Sequence, residues 1–171
     1  MLYAMIPYLE GATTTRNTTN TLTCVLDLGG QVKVSFFGGL GMRSVREPDR
    51  AEGPGVLFAS LPVIAATKAL AVQQRACARD YVDIDALLQS GISLPETVGA
   101  AWAVFGSSFN PVLTLKALAF YEEGDLCRVP QSVQENLRRA VKAVSLDDIP
   151  EFRPRESLCP AIAEDGFRHG C

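Results

Sequence analysis

Between Thr21 and Leu28 the chain alternates, with Leu22, Cys24, Leu26 and Leu28 on one side and Thr21, Thr23, Val25 and Asp27 on the other. A period of two is that of a half-buried strand. Gly29-Gly30 supplies a turn, and Gln31 to Phe37 alternates again, with Val32, Val34 and Phe36 opposite Lys33, Ser35 and Phe37. Residues 20–37 therefore predict a hairpin. A two-stranded ribbon is marginal in water, so Met1–Leu9 or the helices downstream must cover it.

The pattern breaks between Gly38 and Gly55, where five glycines, two prolines and the charged stretch Arg43–Glu52 read as a surface connection. From there the period becomes helical. Ser60 precedes an alanine-rich helix from Leu61 to about Ala76, with Pro62 tolerated in its first turn. A second helix covers Tyr81–Gln89 and stops before Gly91. Ser93-Leu-Pro-Glu96 is a capping box for a third, which Gly106 ends, and Asn110-Pro111 opens a fourth through about Tyr121. Pro130–Val144 is the last. Beyond Pro150, three arginines, two prolines and two glycines without periodicity predict a loosely held tail. The expected fold is α+β, with a small sheet in 1–56, a helical subdomain in 57–150 and a flexible tail in 151–171.

Composition narrows the chemistry. The single histidine of the 171 residues, His169, argues against Ser-His-Asp catalysis and His-based zinc sites. Five cysteines without a C-x-x-C pair fit free thiols in a reducing cytoplasm. Met1–Leu9 lacks the basic flank and cleavage site of a secretory signal. The uncharged run Thr97–Leu115 is interrupted by Gly99, Gly106, Ser107, Ser108, Asn110 and Pro111, so two helices around a loop are expected rather than a membrane span. A net charge of -3 disfavours broad capture of nucleic acid. Arg128, Arg138, Arg139 and Lys142 cluster near the last helix, but Glu122, Glu123, Asp125 and Glu135 offset them.

Three stretches could carry chemistry. Phe36-Phe37-Gly38-Gly39-Leu40-Gly41 could bring backbone N–H groups to an anion, or simply be a strand ending in a turn; it has neither the Walker ending nor dinucleotide spacing. Lys68 is the only charge between Leu57 and Gln74, so its ammonium must either reach water or meet an anion. Arg75-Ala-Cys-Ala-Arg79-Asp80-Tyr-Val-Asp83-Ile-Asp85 is the densest charge constellation. Its arginines can grip phosphate and its carboxylates can hold a cation, or the acids can simply favour a helix start. At about 100° per residue, one continuous helix would set Asp80 roughly 120° from Lys68. The two share a site only if the helix breaks, and Cys77-Ala78 is the expected place.

The segment Ala59–Leu88, containing Lys68, Arg75 and Arg79-Asp80, resembles the lysine-to-Arg-Asp segment of the nucleotidyltransferase-like toxins of the abortive-infection (AbiE) system. The resemblance continues upstream through Asn20–Thr23 and Val32–Leu40, and downstream through Phe109-Asn-Pro and Leu115–Tyr121. It implies a nucleotidyltransferase-fold mixed sheet followed by helices, using magnesium and a nucleoside triphosphate. By that likeness Lys68 and Asp80 are the catalytic candidates, and Lys68, Arg75 and Arg79 the nucleotide-binding ones. No metal ligand is assigned.

The chain departs from that pattern where metal would bind. It has no Gly-Ser followed by spaced acids and no D-x-D on an expected strand, and Ser35 stands where a third acid is expected. The expectation is a member missing its leading segment, weakly active or inactive. The competing expectation is a non-catalytic module that binds an antitoxin-like protein. A hairpin without its neighbouring strands would expose an edge bearing Leu22, Leu26, Val32 and Val34. Light scattering should then find a dimer or larger species, and a clean monomer would rule that edge out as an association site.

Overall fold

A computed structural model describes residues 9–38, 42–52 and 57–155. The chain forms two compact units, Met1–Gly41 and Met42–Cys171. The junction lies upstream of the composition change near residue 56, because Met42 and Val45 already pack on the helical core. The expectations for residues 1–8, for Gly39-Leu40-Gly41 and for the tail from Glu156 onward fall outside the described residues.

The first unit is a three-stranded antiparallel sheet, β1 (Thr13–Thr18), β2 (Thr21–Asp27) and β3 (Gln31–Phe37), in the order β1-β2-β3. The expected hairpin is β2-β3. Leu22, Cys24 and Leu26 are buried, but Leu28 lies in the turn and is exposed. Gly29 takes φ 80°, and the Gly30 N–H donates to the Asp27 carboxylate at 3.1 Å, closing the loop. No parallel pairing occurs among the described residues, so the mixed sheet implied by the resemblance appears there in antiparallel form only.

Strand β1 was not legible in the sequence. Every residue of Thr-Thr-Thr-Arg-Asn-Thr is exposed, so no apolar alternation marks it, and its threonines are the only strand signal. Because β1 pairs with β2, the edge carrying Leu22 and Leu26 is not free. Among the described residues, the outer edges belong to β1 and β3.

Among its described residues the second unit holds a short antiparallel pair, β4 (Asp49–Arg50) with β5 (Leu57–Phe58), and five α-helices. These are α1 (Leu61–Gln74), α2 (Ala78–Gln89), α3 (Leu94–Phe105), α4 (Pro111–Ala119) and α5 (Gln131–Lys142). The expected punctuation recurs. Ser93 and Glu96 complete a reciprocal capping box on α3, Asn110 accepts from the Val112 N–H at 3.0 Å to cap α4, and Gly106 ends α3 at φ 56°. The uncharged run is split between α3 and α4 by a 3₁₀ turn at Gly106–Ser108. Among the described residues no helix is long and apolar enough to cross a membrane.

Small residues set the helix spacing. Ala65, Ala66 and Ala69 of α1 are fully buried, as are Val98, Ala100 and Ala101 of α3. Between α1 and α4, the buried Thr114 hydroxyl donates to the Ala69 carbonyl at 2.9 Å and the Gln73 amide bonds Thr114 at 2.7 Å. Helix α5 presents Leu137 to the core with Val133, Ala140 and Val141 beside it, while Arg138 stacks 4.6 Å from the Tyr121 ring centroid. One basic residue of the last helix is thus engaged within the fold. The segment after α5 is also held: Ile149 and Phe152 pack on the core, and Arg155 bridges Ser44 through paired backbone hydrogen bonds.

Gly99 is the tightest point of that packing. A side-chain carbon there would strike the Pro150 carbonyl oxygen and crowd Ile149 and Phe152 at 3.3 Å each. In an unobstructed helix, glycine to alanine gains up to ~1 kcal/mol. Here Gly99→Ala should lose about 1–3 kcal/mol through overpacking. Urea unfolding checks the sign, and a gain in stability would show that the 149–152 segment does not pack where it is described.

Candidate functional site

The cluster assembles where α1 gives way to α2. Arg75 leaves the helix with φ -155° and ψ 141°, and Cys77 precedes α2 in extended conformation, so the break spans Arg75–Cys77. The expected interruption is there, beginning slightly earlier than Cys77. It lets α2 turn so that Asp80, in its first turn, faces Lys68 of α1.

The Lys68 Nζ donates to Asp80 Oδ1 at 2.9 Å and to Asp83 Oδ2 at 2.5 Å. The Arg75 Nε donates to Asp80 Oδ2 at 2.7 Å, and its terminal nitrogen reaches Asp80 Oδ1 at 3.3 Å. Asp80 is almost wholly enclosed, its side chain 2% exposed, against 26% for Lys68, 40% for Asp83 and 64% for Arg75. The cluster is one buried carboxylate gripped by two cations, with a second, half-exposed carboxylate at its rim.

Electrostatics follow from that arrangement. Burial favours the neutral acid at Asp80, but hydrogen bonds from Arg75 and Lys68 outweigh it and hold the carboxyl below the ordinary aspartate value. Burial likewise opposes the charge on Lys68, and the bonds to Asp83 and Asp80 prevail, raising its ammonium above the usual lysine value. The hydrogen bond to Asp80 also raises Arg75. Beside them, burial pushes the Tyr81 phenol up to about 12, and its hydroxyl donates to the Ala117 carbonyl at 3.1 Å. Tyr81 is thus held neutral in the hydrophobic core, its ring packed on Tyr121.

Of the residues expected to bind nucleotide, Lys68 and Arg75 meet at Asp80. Arg79 does not: it is exposed on α2 and makes no ion pair among the described residues. The parts that Asp125 and Gly124 play at the elbow have no signal in the sequence. Asp125 Oδ1 accepts from the Ala78 N–H at 2.7 Å, capping α2 from a distant loop in place of Cys77, whose side chain makes no cap. Gly124 permits the approach. Its φ is 57°, and a side-chain carbon would collide with the Ala76 carbonyl. Sequence spacing holds no signal for a cap that arrives from 47 residues away.

A model of the family described as nucleotidyl transferase AbiEii toxin, type IV toxin–antitoxin system, matches residues 13–161. The chain belongs to the AbiEii family. No curated protein and no solved structure gives a significant match. The matched span takes in β1, the hairpin and all five helices, including the Lys68–Asp80 elbow.

The AbiEii chain's donor set can be tested against the groups its family uses. Asp80 and Asp83 already commit oxygens to Lys68 and Arg75, and no group of three His, Cys, Asp or Glu residues that could hold a metal occurs among the described residues. These residues do not fit magnesium. Lys68 and Arg75 do suit a phosphate, being cations partly open to solvent.

Asp80→Asn should cost about 2 kcal/mol, the scale of hydrogen bonds to charged groups. Its pH dependence has a definite sign. Since the folded carboxyl titrates below the ordinary value of ~3.9, its stabilisation is complete above that pH and drains as pH falls through the lowered value. The gap between wild type and Asp80→Asn should therefore be widest near neutrality and close in acid. Denaturation between pH 7 and 2 measures it, and a gap that stays constant across that range would count against the pairing.

Proposed function

We propose that this AbiEii-family chain receives the phosphates of a nucleoside triphosphate at Lys68, with Asp80 organising the site and Arg75 bracing it. The supporting observation is the placement of a partly exposed ammonium against a buried, doubly held carboxylate. Asp80 stays fixed because it is enclosed. Asp83 is the exchangeable partner, since its half-exposed carboxylate can leave Lys68 for water when a phosphate arrives.

Transfer by this polypeptide alone is weak or absent in this reading. Nucleotidyl transfer needs metal on the phosphates together with a positioned nucleophile. The sequence carries no Gly-Ser with spaced acids. At the place of the third acid, the Ser35 hydroxyl shares a hydrogen bond with Thr23 at 3.1 Å. The chain would act in the cytoplasm beside an antitoxin, the partner that a type IV system implies. A second reading, a non-catalytic module that binds the antitoxin, draws on exposed Trp102 and Leu146 beside a cavity of about 490 Å3.

Calorimetry with each nucleoside triphosphate, with and without magnesium, tests the first reading. Binding should be lost in Lys68→Ala and tightened several-fold in Asp83→Asn, which removes a like charge from the phosphate. No heat with any triphosphate would leave the interaction module as the better reading.

A further inference from the structure

A cavity of about 290 Å3 opens where the C-terminal end of α1, helix α4 and the 120–126 loop meet, with Arg75, Glu123, Leu113, Ala117 and Phe120 among its lining residues. Two of these carry opposite charge and stay apart. Arg75 and Glu123 are both exposed, yet they form no ion pair with each other, and Glu123 forms none with any described residue. A guanidinium and a carboxylate that line one cavity without meeting leave room for a molecule that carries both charges itself.

Both charges are held in position. Asp80 takes the Arg75 Nε and one terminal nitrogen, at 2.7 and 3.3 Å, which fixes the guanidinium plane and leaves the other terminal nitrogen without a partner among the described residues. The Glu123 loop is pinned from two sides, since the Leu126 N–H donates to the Glu123 carbonyl at 3.1 Å and Gly124 lies against the Ala76 carbonyl. Burial chiefly, then Tyr121 and the Glu123 charge, raise the Tyr81 phenol, which sets Glu123 toward the Tyr81 side of the cavity. The rest of the lining offers apolar contact. Leu113 and Ala117 share one face of α4 and Phe120 follows at its end, and Leu113 and Phe120 are left 49% and 44% exposed.

We infer that this cavity binds a free α-amino acid with an apolar side chain. The ligand's carboxylate pairs with the unengaged nitrogen of Arg75, its ammonium pairs with Glu123, and its side chain covers Leu113 and Phe120. The volume of about 290 Å3 falls just below the ~300–1,000 Å3 of pockets for drug-sized ligands, which suits a molecule of this size. A nucleoside is the poorer match, because it is uncharged and leaves Arg75 and Glu123 without a counter-charge. The site shares Arg75 with the Lys68 cluster but does not depend on triphosphate binding there.

Saturation-transfer NMR and calorimetry on the full chain without nucleotide test the site, with L-phenylalanine, L-leucine, N-acetyl-L-phenylalanine, L-phenylalaninamide and adenosine as probes. Phenylalanine or leucine should bind. Removing the ammonium by acetylation, or the carboxylate by amidation, should weaken phenylalanine about tenfold. Glu123→Gln should weaken phenylalanine by about the same factor and leave the acetylated form unchanged, because only a free ammonium meets that carboxylate. Exposed Glu123 makes no ion pair among the described residues, so this variant should melt with the wild type. Phe120→Ala should weaken both amino acids. Failure of both amino acids to bind, equal binding of the acetylated or amidated form, unchanged affinity in Glu123→Gln, or adenosine binding as tightly as phenylalanine would overturn the proposal.

Discussion

A carboxylate with almost no exposure must be paired or give up its charge, and Asp80 is that group. The meeting of α1 and α2 serves that requirement. Lys68 approaches from α1, Arg75 from the break between the helices, and Asp80 enters from the first turn of α2. A straight helix would put Lys68 and Asp80 on different faces, and a break elsewhere would leave Asp80 without one of its cations. The same requirement explains why distant parts of the chain converge on the elbow. Asp125 caps α2 at Ala78, and Gly124 lets the loop come against Ala76.

An ion cluster is poor evidence of purpose, because desolvation of the charges offsets much of their attraction. Here its asymmetry is informative. Asp80 is enclosed and held twice, whereas Asp83 touches the same lysine from a half-exposed position. A purely structural pair needs no second, half-exposed acid. An ammonium with one enclosed and one half-exposed partner is suited to meeting an anion, which agrees with membership of a nucleotidyltransferase-like toxin family. The same cations explain why Asp80 and Asp83 do not offer a metal site.

Much of the fold was legible because its signals are local. The alternation of Leu22, Cys24 and Leu26 marked β2, the Ser93–Glu96 box marked α3, and Asn110-Pro111 marked α4. Where local signals are absent, the sequence alone does not mark the element. Strand β1 has no buried face to pattern, and α2 begins at Ala78 rather than Tyr81 because a cap supplied from Asp125 extends it backward. Leu28 fits the alternation of its strand but falls in the turn, since Asp27 pairs with Gln31 and closes the loop around it.

Residue order alone carries the residue types of the cluster, the need for a break between Lys68 and Asp80, and the family to which the chain belongs. These depend on spacing along one chain and on helix periodicity, which the order of residues contains. Tertiary structure decided which charges meet: Arg75 grips Asp80, Asp83 shares Lys68, and Arg79 stays in solvent. It also left the Ser60 hydroxyl buried without capping its helix. Pairing and burial are set by the direction in which helices cross and by loops arriving from dozens of residues away, and neither is written in the spacing of neighbours.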